Sequence, residues 1–222
     1  MVTAVTAQDT EGVHAVEAMP PALVQAQIKA ALNDIGADAI KIGMLANGEI
    51  ARAVAESLDG TRAPVVLDPV LVSSSGRALL DHAGVEILKS HLLLRAILVT
   101  PNLDECEALI GLRPESDAAL RKAAEAFASL GAGAVLFKGG HGIGATSRDV
   151  LAQEGKDLVT FESPRQATRH THGTGCVLST AIACGLALGH SLEVAAREAH
   201  EFVQHAIRTA PGLGRGHGPL NL

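Results

Sequence analysis

The sequence predicts an α/β domain: a mostly parallel central sheet with helices on both faces and one small antiparallel hairpin. Three observations predict it. Short aliphatic and β-branched runs alternate along the chain with longer segments of helical periodicity. Such alternation implies right-handed crossovers, hence parallel strands covered on both sides. The predicted strands also end on polar, proline or glycine residues: Lys41-Ile42-Gly43-Met44, Asp68-Pro69, Thr100-Pro101-Asn102 and Lys138-Gly139-Gly140-His141. Ligands of such sheets bind beyond the carboxyl ends of the strands, so the chemistry should converge on one edge.

In chain order, Val2 to Ala7 reads as a strand. Pro20-Pro21 opens a helix with Val24, Ile28, Ala31, Leu32 and Ile35 at helical spacing on its apolar face. Ala39 to Met44 is a buried strand, and Glu49 to Leu58 a helix stopped by Asp59-Gly60. Pro64 to Leu67 is a short strand, followed by a helix near Gly84 to Leu94. Ile97 to Thr100 is a strand, and a short helix then runs to Ile110. Asp117 to Leu130 is an alanine-rich helix before the strand Ala134 to Lys138. Val150 to Gln153 and Leu158 to Glu162 flank the turn residues Glu154-Gly155-Lys156-Asp157 and form the antiparallel hairpin. Two helices close the chain, Cys176 to Leu188 and Leu192 to Ala210. The glycine-rich stretch Gly212 to Pro219 is either a closing loop or a frayed end.

Composition narrows the function. A chain of 222 residues with 47% hydrophobic residues fits one large domain with a substantial core. Aromatics are only 2%, with no Trp and no Tyr, which argues against nucleic-acid binding through stacking platforms. The net charge of −6 also argues against a polyanion partner. Three cysteines, Cys106, Cys176 and Cys184, are too few for a disulfide framework and suit a reducing compartment. The start MVTAVTAQDTEG lacks the basic region of a secretory signal, and no apolar run reaches membrane-spanning length. These features lead us to expect a cytoplasmic protein with no membrane partner.

The segment His172-Gly173-Thr174-Gly175-Cys176, directly before the apolar run Val177 to Leu188, carries the strongest chemical signal. The first amides of a helix have no partner within it and carry partial positive charge. Glycines let that backbone approach an anion closely. Phosphoryl transfer is the chemistry this suggests. Cys176 is either a small residue packed at a helix start or a thiol whose pKa the helix terminus lowers. A zinc site from His170, His172 and Cys176 has no evident fourth ligand, and the interposed Gly-Thr-Gly suits an anion better.

Asn102-Leu103-Asp104-Glu105 matches a capping box, which alone explains Asn102 and Glu105; the alternative gives Glu105 a share in holding Mg²⁺. Asp68 is a turn former or a group serving the metal. Lys138 is a solvated lysine or a point charge on nucleotide phosphates. Gly140-x-Gly142-x-Gly144 is a weak signal without a following helix. Gln8 offers donors and an acceptor to a heterocycle edge, and Met44 reads as core.

Seven motifs occur in a telling order: VTAQDTEGV (Val5 to Val13), KIGML (Lys41 to Leu45), VVLDPV (Val65 to Val70), TPNLDE (Thr100 to Glu105), KGGH (Lys138 to His141), THGTGC (Thr171 to Cys176) and GHGPL (Gly216 to Leu220). Together they resemble the hydroxymethylpyrimidine/phosphomethylpyrimidine kinases of thiamine biosynthesis, in the ribokinase-like superfamily, over essentially the whole chain. The resemblance implies a three-layer ribokinase-like fold and ATP-dependent, Mg²⁺-assisted phosphorylation of 4-amino-5-hydroxymethyl-2-methylpyrimidine and then of its monophosphate. It implies a pyrimidine pocket of Gln8, Met44, Val70 and Cys176. It implies an anion hole at Gly173, Thr174, Gly175 and Cys176, nucleotide contacts from Asn102, Lys138 and Thr174, and metal contacts from Asp68 and Glu105. Many superfamily members carry an Asp base where Cys176 stands, so Cys176 is the candidate base here.

TPNxxE and KGGH are shared with pyridoxal kinases, which leaves pyridoxal kinase as an alternative; a non-catalytic pyrimidine-binding remnant is another. The family begins with a strand and a glycine-rich segment of the type D-x-S-G-G-A-G-I-Q-A-D, and no such stretch stands before Val2. Residues 1–222 are therefore expected to form a single ribokinase-like kinase domain, N-terminally truncated relative to the family, with an exposed edge, poor solubility and low kinase activity. The family often pairs as dimers, and an exposed edge would encourage a homodimer.

Overall fold

The computed structural model of the chain describes residues 1–73, 76–139 and 144–222. Its centre is a six-stranded sheet in the order β3-β4-β5-β6-β7-β8. Strands β3 (Ile40–Ile42), β4 (Val65–Leu67), β5 (Ala96–Val99) and β6 (Ala134–Phe137) run parallel. Strands β7 (Thr146–Gln153) and β8 (Val159–Pro164) continue it as an antiparallel hairpin. Both strands of that hairpin extend beyond the apolar residues that reveal them in the sequence, because Thr146 to Asp149 and Ser163 to Pro164 are polar or proline positions that the ladder nonetheless pairs.

Alternation along each buried strand sorts the core into two layers. Val65, Leu67, Val99, Val135, Phe137 and Val150 point to one side. There they meet α1 (Pro21–Asp34), α2 (Gly48–Ser57), α3 (His82–Ile87), α4 (Leu103–Ile110) and α5 (Asp117–Ser129). Val66, Leu98, Ala134, Leu136 and Leu151 point to the other, against α6 (Thr174–Ala187) and α7 (Leu192–Arg208). With both faces covered, the parallel strands read as unbroken apolar runs, VVL, AILV and AVLF. This is the expected three-layer architecture.

Four local expectations need correction. The first strand is Ala4–Gln8 (β1), and it lies outside the central sheet, paired antiparallel with β2 (Val13–Ala18). The sequence reading contains no β2, because an Asp9-centred turn, with Glu11 and Gly12 amides donating to the Asp9 carboxylate, leaves only a short, half-polar strand behind it. Ile35 sits at the end of α1 and is 87% exposed rather than on the apolar face. The helix expected over Gly84 to Leu94 breaks after Ile87 into a π turn, Leu88–Leu92, and a 3₁₀ turn, Leu93–Arg95. The widened turn lets Leu88, Leu92 and the adjacent Leu93 all reach the core.

The C-terminal stretch is a closing loop. His217 N donates to Thr10 O at 2.7 Å, Gly216 N to Thr10 Oγ1 at 3.1 Å, and His172 N to Gly218 O at 3.2 Å. It ties the β1–β2 turn to the segment that opens α6. Among the described residues no helix is long and apolar enough to cross a membrane.

Candidate active site

Backbone bonds carried past the ends of the parallel strands place the charged residues. Asp68 N donates to Ile42 O at 2.9 Å, Thr100 N to Leu67 O at 3.0 Å, and Lys138 N to Pro101 O at 2.9 Å. The first residue beyond each strand is thereby held in register with its neighbour, and the side chains meet. Lys138 Nζ donates to Asp68 Oδ1 at 2.7 Å and lies 3.4 Å from Glu105 Oε2. Lys41, on β3, brings a second ammonium to 4.0 Å from Asp68 Oδ2.

Asp68 is 1% exposed, and a buried carboxylate needs charge and donors around it. It also accepts from Thr100 Oγ1 at 3.2 Å and from Ser179 Oγ at 3.1 Å. Burial alone would push its pKa up, but Lys138, Lys41 and Ser179 outweigh that and hold it below the ordinary value. Glu105 goes the other way. Desolvation raises it, and the Asp68 charge adds to the rise against the pull of Lys138 and Asn102 N–H. The same two carboxylates hold Lys138 above the usual lysine value against the cost of its burial. One ammonium thus serves two acids, and the nearer, better-solvated-by-protein acid keeps its charge more firmly.

The capping box on α4 is present. Glu105 N donates to Asn102 Oδ1 at 2.8 Å, and Asn102 N to Glu105 Oε2 at 2.7 Å. Glu105 therefore caps α4 and faces Lys138 through the same oxygen.

α6 starts differently. Gly173 has φ 83° and ψ 4°, a left-handed conformation that favours glycine, and no side chain caps the helix. No acidic residue stands in its first turn. Gly175 lies against the lysine: a Cβ there would come within 3.2 Å of Lys138 Nζ. Thr174 N donates back to Thr171 O at 3.3 Å, and the following amides of the uncapped first turn, with the Lys138 ammonium, form one positive corner.

Cys176 is exposed at that corner. Its thiol is held above its ordinary pKa by desolvation, with Asp68 adding to the rise and Lys41 and Lys138 opposing it. This corrects the expectation of a lowered value: the local carboxylate and the loss of water oppose ionisation. Gln8 Nε2, from β1, lies 3.0 Å from His172 Nε2 and so joins the hairpin to the α6 entry. Met44 and Val70 are half-buried; Met44 O accepts from Thr3 Oγ1 at 2.7 Å, and Val70 N donates to Asp68 O at 2.9 Å. Gly140, His141 and Gly142 of the glycine-rich motifs lie outside the described residues. A groove of ≈ 680 Å³ is lined by Gln25, Glu49, Arg52, Glu56 and Asp81, residues of α1, of α2 and of the α3 cap, away from this corner.

The donor set bears on metals. Among the described residues no three His, Cys, Asp or Glu side chains converge on a metal-sized site. His172 pairs with Gln8, and His170 Nδ1 is buried without a hydrogen-bond partner, so neither is arranged with Cys176 as a ligand trio. Asp68 and Glu105, by contrast, are hard oxygen donors gathered around one ammonium. Mg²⁺ takes one or two carboxylates and completes its shell with water and phosphate oxygens, and this pair fits that demand.

Sequence reasoning missed Thr100 and Ser179 as partners of Asp68. Thr100 was visible only as the end of a strand. Ser179 follows Cys176 by three residues on the same helix, a spacing that puts both on one face.

Residues 1–221 match the Phosphomethylpyrimidine kinase family. The chain belongs to that family. The hydroxymethylpyrimidine/phosphomethylpyrimidine kinase of Streptomyces coelicolor is 44% identical over 221 residues, covering 100% of this chain and 81% of that protein. The phosphomethylpyrimidine kinase structure from Clostridium difficile superposes with a TM-score of 0.79 at 33% identity, covering 93% of this chain and 84% of that one. The Staphylococcus aureus pyridoxal kinase in complex with AMP-PCP and pyridoxal superposes with a TM-score of 0.87 at 31% identity, covering 99% and 80%. This member of the phosphomethylpyrimidine kinase family is a ribokinase-like phosphotransferase.

Proposed function

We propose that the chain transfers the terminal phosphoryl group of ATP to the hydroxymethyl oxygen of 4-amino-5-hydroxymethyl-2-methylpyrimidine, and then phosphorylates the resulting monophosphate, as a cytoplasmic enzyme of thiamine biosynthesis. The observation that carries this reading is Lys138, fixed between Asp68 and Glu105 and beside the uncapped start of α6. Phosphoryl transfer asks mainly for positioning and for neutralisation of charge. In this reading the amides of Gly173, Thr174, Gly175 and Cys176 receive the phosphoryl oxygens, and Lys138 and Asn102 meet the nucleotide. Gln8, Met44, Val70 and Cys176 line the pyrimidine pocket.

The hydroxymethyl oxygen forms the new P–O bond as the bond from the terminal phosphorus to the ADP oxygen breaks. The loose transition state makes little demand on a base. Cys176, a thiol held protonated, then acts through its amide and its contact with the substrate, and the hydroxyl proton passes to the phosphoryl group or to water. Asp68 and Glu105 would hold Mg²⁺, which when bound neutralises charge on the phosphate oxygens.

The test is turnover of the full chain with ATP, Mg²⁺ and either the hydroxymethylpyrimidine or pyridoxal, read as ADP release and as a phosphorus NMR signal of the product. Faster turnover of the pyrimidine supports the assignment, and its monophosphate should serve as a second substrate. Preference for pyridoxal would reassign the enzyme. Calorimetric binding of the pyrimidine without ADP release would make the chain a binding protein.

A further inference from the structure

A second buried cluster lies on the other side of Lys138, and the phosphoryl-transfer reading makes no use of it. Asp149, on β7, and His200, on α7, are 7% and 4% exposed. His200 Nδ1 lies 2.8 Å from Asp149 Oδ2, and His200 Nε2 lies 2.8 Å from Ser163 Oγ on β8. A carboxylate only accepts, so Nδ1 carries the proton toward Asp149. The remaining Asp149 oxygen, Oδ1, accepts from Gly139 N at 3.0 Å.

The order of contacts is that of a serine nucleophile, a base and an orienting acid. Burial argues against that use, because a base so enclosed has no room for a substrate. What the cluster does touch is the backbone of Gly139, the residue after Lys138. The β6–β7 ladder ends at Phe137 and Val150, so the Gly139 amide has left the sheet when Asp149 takes it. Gly139 is also pressed against β7, where a Cβ would overlap the Arg148 carbonyl. Lys138 is therefore clamped on both sides: its own N–H is on Pro101 O at 2.9 Å, and the next N–H is on Asp149.

We infer that Asp149 and His200 are positioning residues for Lys138. His200 fixes the Asp149 carboxylate, Asp149 fixes the Gly139 amide, and the chain so held delivers the ammonium to Asp68 and Glu105. The inference rests on the proposed role of Lys138 in meeting nucleotide phosphate.

The test uses the full chain and three variants. His200→Leu removes the donor to Asp149; His200→Asn keeps an amide N–H near the Nδ1 position; Lys138→Met removes the group being positioned. Expected for His200→Leu is a rise of about tenfold in KM for ATP, the scale of one lost charge-assisted hydrogen bond, with a much smaller change in kcat. Gly139 amide exchange should quicken in the same variant. His200→Asn should recover both. Should His200→Leu fail to fold, Asp149→Asn decides: weakening the bond to Gly139, it should raise the ATP KM in the same direction by a smaller factor.

Unchanged ATP KM and unchanged Gly139 exchange in these variants would overturn the inference. So would equal thermal destabilisation by His200→Leu and His200→Asn with no change in KM. If Lys138→Met also leaves nucleotide binding intact, the reading of the lysine itself falls. If only Lys138→Met impairs binding, that reading stands and the positioning role alone is lost.

Discussion

α4 and α6 both begin at the carboxyl edge of the sheet, and they treat their first amides in opposite ways. At α4 the chain supplies its own anions. Asn102 and Glu105 exchange two hydrogen bonds, and Asp104 and Glu105 both sit in the first turn. At α6 the cap residue is a left-handed glycine without a side chain, and the first turn holds no acid. α2, α3, α5 and α7 follow α4, with Asn47, Asp81, Ser116 and Ser191 accepting from the first turn, while α1, opened by Pro20-Pro21, has no side-chain cap either. A side-chain cap is worth about 1 kcal/mol to a helix. Its omission at α6, beside Lys138, leaves a positive helix end open to a ligand. The same electrostatics stabilises the fold at α4 and serves chemistry at α6.

Removing the lysine that links the two starts should have the largest effect. Lys138→Met leaves the buried Asp68 with Lys41 at 4.0 Å and two hydroxyl donors in place of a direct ion pair, and breaking a buried pair in this way costs roughly 3–5 kcal/mol. Turnover should fall about 10²–10³-fold, the cost of deleting one preorganised stabilising group. Urea unfolding and steady-state kinetics on the same preparation separate the two losses. Full activity in a folded variant would remove Lys138 from the site. The stabilising charge on Asp68 also has a pH signature. Its folded pKa is depressed, so the contribution is complete above the unfolded value of about 3.9 and is lost as pH falls through the lower folded value. The gap between parent and Asp68→Asn should therefore close in strong acid.

The next largest effect should come from making α6 resemble α4. Gly173→Asp adds a side-chain anion at the open cap, and Asp tolerates the left-handed backbone better than most residues. The added carboxylate competes with phosphate, so KM for ATP should rise about tenfold or more while the melting temperature moves little. Gly173→Ala, which adds strain without an anion, should instead lower stability by about 1–2 kcal/mol. Equal KM values in both variants would mean that α6 does not receive phosphate.

The converse experiment is Asn102→Ala, which opens the cap of α4. The expected loss is about 1 kcal/mol, or a fall of about 2–4 °C in melting temperature for a chain of this length, together with a rise in KM for ATP, because Asn102 also meets the nucleotide in the proposed reading. Lost stability with an unchanged KM for ATP would leave Asn102 as a helix cap alone.

Much of this contrast is legible in the sequence, for a physical reason. Caps and glycine-rich helix starts are local, so Asn102 with Glu105 and the run Gly173 to Cys176 declare themselves within a few residues. Strand ends are also local, which exposes Asp68 and Lys138 as candidates. What surrounds Asp68 is not local. Thr100 and Ser179 reach it from 32 and 111 residues away, and although one ends a strand and the other shares a helix face with Cys176, neither position says which carboxylate it meets. The tie from His200 to Asp149 spans 51 residues and is hidden for the same reason. Of the β1–β2 hairpin only the second strand was missed, because outside the central sheet its residues Val13–Ala18 are short and half-polar. The direction of the Cys176 pKa shift was left open because a helix terminus is visible in sequence, whereas the Asp68 carboxylate and the desolvation of the thiol are not.

Cys176 gives the smallest and most discriminating prediction. Desolvation and Asp68 hold its thiol above the ordinary value, so it carries a proton at neutral pH. A resident thiolate base would give a rate that climbs with pH as the thiol ionises, and Cys176→Ser would abolish that climb. If the thiol only contacts substrate while its amide receives phosphate, Cys176→Ser retains the amide and a side chain of similar size. Its turnover should then stay within about fivefold of the parent, a barrier change of about 1 kcal/mol, with a parallel pH profile between 7 and 9. A pH-dependent limb that vanishes in the variant would restore the base to Cys176. It would also shift the chemistry of the α6 start from its backbone to its side chain, and the contrast with α4 would then rest on a residue rather than on an absent cap.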